Sequence, residues 1–252
     1  MLCLPAPTNA EVSNLPIHWG FKKGANEQQG EAGQQLDRLL EYYGGFYKGD
    51  AKSKIVYLTF DNGYENGYTE KVLDVLKKEK VPAAFFVTGH YLDSASDLVK
   101  RMVKEGHIIG NHSWFHPDLT TINDTRIKEE LEKVRSRNEE LTGIKEMKYI
   151  RPPRGVLSER TLKVAKNLGY THVMWSLAYV DWNVNQQKGW QYAYDNVMKQ
   201  IHPGAVILLH SVSKDNADAL EKIIIDAKKR GYQFKSLDDL ARKIVKKEAK
   251  QP

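Results

Sequence analysis

Lys54-Ile55-Val56-Tyr57-Leu58-Thr59-Phe60-Asp61-Asn62-Gly63-Tyr64 is an apolar run of strand length that stops on a carboxylate, an amide and a glycine. A buried parallel strand delivers polar groups to the carboxyl edge of its sheet in this way. In α/β folds and barrels, ligands and chemistry gather at that edge. The rest of the chain can be read as groups brought to meet Asp61.

Downstream of Lys54 the pattern alternates strand and helix. Strands are expected at 55–60, 82–88, 107–111, 148–151, 172–176, 205–209 and 232–235. Amphipathic helical segments are expected at 69–80, 94–105, 121–141, 158–168, 190–200 and 216–229. Ser158 stands where an N-cap belongs, and Gly106, Gly143, Gly169 and Gly231 stand just past helix ends. Alternation on this scale implies parallel pairing through right-handed crossovers. The expected fold is α/β, a distorted seven-stranded (β/α) barrel with an N-terminal extension. An open doubly wound sheet is the alternative. The extension covers residues 1–50, rich in Gly, Gln and Asn with one helical piece at 34–43, and the main domain covers 51–245. Asn14, His18 and Trp19 read as surface or packing residues of that extension, with a place in a site as the alternative.

With 252 residues and 41% hydrophobic content, the chain can bury a sizeable core. The net charge of +6 is spread along helices rather than blocked. It reads as a solvated basic surface, with attraction to an anionic polymer such as cell wall or nucleic acid as the alternative. No nucleic-acid-binding motif is present, and no apolar run approaches the roughly 18 residues of a transmembrane helix. The one cysteine, Cys3, excludes an internal disulfide. The first ten residues resemble the tail of a secretory signal, with small residues before a cleavage point near Ala10. Export is therefore the expected route.

The polar residues cluster at strand ends. Asp61 and Asn62 end the first strand, His112 and His116 follow the third, and Arg151 and Arg154 follow the fourth. Asp181 and Trp182 follow the fifth, and His210 ends the sixth. In a parallel barrel all of these face one mouth. His112 and His116, four residues apart, suit a metal that prefers nitrogen ligands, with the Asn62 amide oxygen as a third donor. Taken alone, the spacing reads first as two hydrogen-bonded loop histidines. Asp61 can take a proton from a water activated there, or can simply cap the Asp-Asn-Gly turn. His210 is the natural second proton carrier. Two proton carriers and a Lewis acid suit hydrolysis of an amide or ester.

These motifs resemble one family. Thr59-Phe60-Asp61-Asn62-Gly63 is similar to the TFDDG motif of the NodB-type polysaccharide deacetylases, carbohydrate esterase family four. Gly106 to His112, continuing to His116-Pro117, resembles the family's histidine motif. Arg151-Pro152-Pro153-Arg154-Gly155, Val180-Asp181-Trp182 and Leu208-Leu209-His210 match the remaining motifs in order. The resemblance implies metal-assisted removal of acetyl groups from polysaccharides. Asp61 is then the catalytic base, His210 the acid and Arg151 the residue that holds the base. His112, His116 and Asn62 are then the ligands of a divalent ion (Zn, Mn and Ca are not distinguished), and the residue 154 amide assists the oxyanion. Substrate binding falls to Arg154, Asp181 and Trp182.

Three positions depart from the family pattern. Asn62 replaces the usual metal-binding Asp. Ala178 replaces the acidic residue that partners the catalytic histidine, with Asp181 as a possible substitute. Arg154 replaces an aromatic residue and suggests an anionic group on the substrate. Together they resemble the subgroup of peptidoglycan N-acetylmuramic acid deacetylases that serve muramic δ-lactam formation in spore cortex. That subgroup implies a secreted, cell wall-associated enzyme acting on peptidoglycan glycan strands. The alternatives are a general N-acetylglucosamine or chitin deacetylase and a non-catalytic glycan-binding relative.

Overall fold

The computed structural model describes residues 12–248. The expected signal remnant at 1–10, with Cys3 and Ala10, lies outside the described residues. The leading segment holds β1 (Ile17–His18) and α1 (Gln34–Tyr42). The main body begins with β2 (Ile55–Asn62), α2 (Thr69–Glu79), β3 (Ala83–Val87), α3 (Gly89–Ser94), α4 (Ser96–Lys104) and β4 (Ile108–Asn111). It continues with α5 (Asp124–Thr142), β5 (Tyr149–Ile150), β6 (Val156–Leu157), α6 (Glu159–Asn167) and β7 (Thr171–His172). It ends with α7 (Trp190–Gln200), β8 (Val206–His210), α8 (Lys214–Lys229), β9 (Gln233–Phe234) and α9 (Leu237–Glu248).

The seven expected strands form one parallel sheet in the order β7-β5-β4-β3-β2-β8, with β9 also paired to β2. The two ends of that order meet. Leu177, just past β7, makes a parallel bridge to Ile207 of β8, and the Leu208 N–H donates to the Leu177 carbonyl at 2.9 Å. The sheet thus curls into an irregular barrel.

The pleat of β2 sorts its side chains by two-residue alternation. Val56, Leu58 and Phe60 pack into the large cluster between sheet and helices, while Tyr57 joins the smaller cluster inside the barrel. Asp61 falls in the Tyr57 set and Asn62 in the Phe60 set. Adjacent residues are thereby sent to opposite faces of the strand.

The expected punctuation holds at most ends. Ser158 caps α6 in a capping box with Thr161, and Gly143 ends α5 in the left-handed region at φ 73°. The helix expected at 94–105 differs: Ala95 leaves helical geometry at φ −128° and ψ 33°, so a separate α3, capped by Thr88, precedes α4. The helix α9 was not anticipated. Its Leu237 and Leu240 enter the interior cluster and close the barrel end opposite the mouth. Among the described residues, no helix is long and apolar enough to cross a membrane.

Candidate active site

Asp61, at the end of β2, is buried at 6% exposure, and Arg151, just past β5, is completely buried. The Arg151 Nη1 donates to Asp61 Oδ1 at 2.7 Å, and its Nε donates to the Val173 carbonyl at 2.9 Å. The guanidinium plane lies 4.2 Å from the Phe86 ring centroid, inside the barrel. Burial alone would raise the proton affinity of Asp61. Arg151, with His112 and His210, outweighs that and holds the carboxyl below its ordinary range. Asp61 is therefore an ionised carboxylate at neutral pH.

The histidine loop follows β4. His112 is buried, and its Nδ1 lies 2.8 Å from the Arg151 carbonyl. A carbonyl only accepts, so Nδ1 carries the hydrogen and Nε2 keeps its lone pair. That Nε2 is 3.6 Å from Asp61 Oδ2, too long for a hydrogen bond. The His116 ring packs edge-on to His112 with centroids 4.9 Å apart. Burial lowers the proton affinity of both imidazoles, that of His116 to about 4. The loop bends through two non-glycine residues at positive φ, Ser113 at 62° and His116 at 58°. Two anchors hold it there. Ser113 N–H donates to Asn111 Oδ1 at 2.9 Å, and Phe115 N–H donates to the buried Glu130 carboxylate at 2.7 Å.

Asn62 is fully buried. Its Nδ2 donates to Ser211 Oγ at 2.7 Å, and its Oδ1 is buried with no hydrogen-bond partner among the described residues. A buried acceptor without a partner and two neutral imidazoles are donor types that a divalent cation takes, so in their chemistry these residues fit such an ion. Among the described residues, no three His, Cys, Asp or Glu side chains gather as a metal group. The third donor here is an amide.

His210 ends β8 and is the direct register partner of Asp61 across the β2–β8 pair. Its Nδ1 lies 2.7 Å from Asp181 Oδ1, and its backbone N–H donates to Asp181 Oδ2 at 2.8 Å. Burial by itself would lower the His210 pKa. The Asp181 carboxylate reverses this and raises it above the ordinary value. Of the two readings of Asp181, substrate contact and partner of His210, the geometry fits the second. The residue is 3% exposed, and both carboxylate oxygens are engaged by His210 and Asn216. It stands where a carboxylate can orient the His210 ring.

Arg154 sits on a tight turn at Pro153–Gly155 with its own φ at 56°. It is exposed, and among the described residues its guanidinium makes no hydrogen bond or ion pair. Below it the leading segment acts as a buttress. Trp19 N–H donates to the Gly155 carbonyl at 2.9 Å, its indole Nε1 donates to the Trp175 carbonyl at 3.0 Å, and β1 pairs with β6 just beyond the turn. Asn14 bridges the Thr120 carbonyl and Ser158. These are packing roles, as expected. Trp182 follows Asp181 and is 57% exposed. Sequence reading singled out neither Glu130 nor Asn216. The only sequence signal for Asn216 was its nearness to His210.

The mouth thus holds an ionised carboxylate, a hydrogen-bonded histidine–aspartate pair, two neutral imidazoles and a guanidinium without a partner among the described residues. Comparison with known proteins gives the family. A family model described as polysaccharide deacetylase matches residues 48–173, and the chain belongs to that family. It is 58% identical, over 91% of its length and 87% of the relative's, to the peptidoglycan-N-acetylmuramic acid deacetylase PdaA of Bacillus subtilis. The solved structure of that protein, described as a family 4 carbohydrate esterase, superposes with a TM-score of 0.90, covering 92% of this chain and 99% of that one. A Bacillus cereus peptidoglycan-N-acetylglucosamine deacetylase is 35% identical over 80% of this chain and 73% of its own.

Proposed function

We propose that the protein hydrolyses the N-acetyl group of N-acetylmuramic acid in peptidoglycan, leaving a free amine on the sugar and releasing acetate. The observation that carries the substrate choice is Arg154. An exposed, unpaired guanidinium at the mouth matches the lactyl carboxylate of a muramic acid whose peptide has been removed. N-acetylglucosamine offers no such group.

Asp61, kept ionised by Arg151, takes the proton of the attacking water. His210, kept protonated by Asp181, gives its proton to the departing nitrogen. Arg151 acts through Asp61 and is a positioning residue. The backbone amide at residue 154 lies on the turn that can donate to the developing oxyanion. Trp182 offers an exposed flat face beside the reacting centre. His112 and His116 through nitrogen, with Asn62 through Oδ1, would hold a divalent ion. When bound, that ion polarises the acetyl carbonyl and lowers the pKa of water. Two imidazoles favour zinc over calcium, and the neutral amide predicts weaker binding than a carboxylate would give.

On this reading the protein works in the cell wall. The amine it frees in spore cortex can close onto the lactyl carboxyl to form the δ-lactam. Mass spectrometry of amidase-treated peptidoglycan tests the assignment. Loss of acetyl from muramic acid alone supports it. Equal deacetylation of chitin oligomers would return the protein to a general N-acetylglucosamine deacetylase.

A further inference from the structure

The His210–Asp181 pair is itself held by two residues outside every family motif quoted above. Asn216 lies in the first turn of α8 and is 1% exposed. Its Nδ2 donates to Asp181 Oδ2 at 2.5 Å and to the His210 carbonyl at 3.2 Å. Its Oδ1 accepts the hydroxyl of Tyr179. A carboxylate and a carbonyl can only accept, so the NH2 end of the amide must face them. Burial pushes the Tyr179 phenol above its ordinary pKa, so it stays a donor toward Oδ1. The amide therefore has one consistent orientation, with both ends satisfied.

The backbone of Asn216 is fixed as firmly. Ser213 caps α8 and accepts the Asn216 N–H at 3.2 Å, while the Ser213 hydroxyl donates to Gln187 Oε1 at 2.8 Å. Gln187 reaches back through Nε2 to the Asp181 and Asn183 carbonyls at 3.3 and 3.0 Å. The loop that carries Asp181 and the loop that follows His210 are thus stitched together around one amide.

We infer that Asn216, oriented by Tyr179, is a positioning residue for proton transfer: it fixes the Asp181 carboxylate so that His210 keeps its Nδ1 hydrogen on Asp181 and its Nε2 free for the substrate. The inference rests on the reading of His210 as proton donor. Position 178 is an alanine and cannot pair with the histidine; Asp181 does, and α8 supplies the amide that holds Asp181.

Asn216→Ala, Tyr179→Phe and the double variant test it, with circular dichroism confirming the fold. Asn216→Ala is expected to lower kcat about 10- to 100-fold, the effect of losing a hydrogen bond to a charged group, with KM unchanged. Tyr179→Phe is expected to cost less, and the double variant no more than Asn216→Ala, because Tyr179 acts only through the amide. In substrate-free protein with 15N-labelled histidine, His210 is expected to be protonated at Nδ1 in the wild type and to lose that single state in Asn216→Ala. An unchanged His210 signal in both single variants would overturn the inference. A changed signal with unchanged kcat would uphold the positioning and instead refute His210 as the proton donor. If Asn216→Ala does not fold, the Tyr179→Phe signal decides the matter alone.

Discussion

Asp61 and His210 are register partners on neighbouring parallel strands, yet their surroundings push their proton affinities in opposite directions. Arg151 holds the Asp61 carboxyl low, and Asp181 holds the His210 imidazole high. Two titratable groups at one mouth, driven apart in this way, divide naturally into base and acid.

The pH dependence of turnover follows from that division. His210 must be protonated to donate, so activity falls as pH rises through its raised pKa, above 6.5. The charged groups that face it are Asp181, Asp61 and Arg151. Asp181→Asn removes the anion that raises this pKa and leaves burial to lower it. The alkaline limb of the kcat profile is expected to move to lower pH, and an unmoved limb would contradict the pairing. His210→Asn is expected to cost about 10²–10⁴-fold in kcat.

Arg151→Met leaves the Asp61 carboxylate buried without its cation. Breaking a buried pair from one side costs about 3–5 kcal/mol. Urea unfolding is expected to show a loss of that order at pH 7, together with loss of turnover. A variant as stable as the wild type would show that Asp61 is not held as a buried anion.

Trp19→Ala removes the indole N–H from the Trp175 carbonyl and the side chain from beneath Gly155. The turn that carries Arg154 then loses its support, while Asp61 and His210 keep theirs. KM for peptide-free muramic glycan is expected to rise with kcat little changed. A fall in kcat at unchanged KM would assign the leading segment another role.

His172 is fully buried with no partner among the described residues for either ring nitrogen, and burial lowers its pKa to about 3. The unfolded chain restores a value of about 6.5. Below that pH the unfolded state binds a proton that the folded state does not, so stability is lost as pH falls from about 6.5 toward 3. Between pH 7.5 and 5 the loss from this residue is on the order of 2 kcal/mol. His172→Met is expected to lose less stability over that range by this amount, measured by denaturant midpoints. An identical loss in both proteins would contradict the assignment.

Most of the barrel was legible because its strands are short apolar runs ended by polar residues. The run from Ile55 to Asn62 announced both its burial and its edge. Asp61, His112, Arg151 and His210 were readable for the same reason, since each stands where a strand stops. What remained hidden depends on contacts between distant segments. Asp181 reads both as a substrate contact and as a possible partner of His210 until the fold sets it on His210, 29 residues away in the chain. Asn216 reads as a helix-start residue, and Trp19 as loose packing, until the mouth is assembled around them. Ala95 breaks a helix whose apolar spacing runs through it, and α9 carries a helical period whose role emerges only at the closed end of the barrel.

The central claim is that Arg154 selects a muramic acid carboxylate. The direct measurement is kcat/KM for wild type and Arg154→Ala on two substrates, peptide-free muramic glycan and the same glycan with its lactyl carboxylates converted to amides. The wild type is expected to lose about 10-fold or more on amidation, the value of a charge-assisted pair, and Arg154→Ala is expected to be indifferent to it. Equal losses in the two proteins, or no loss in the wild type, would contradict the account.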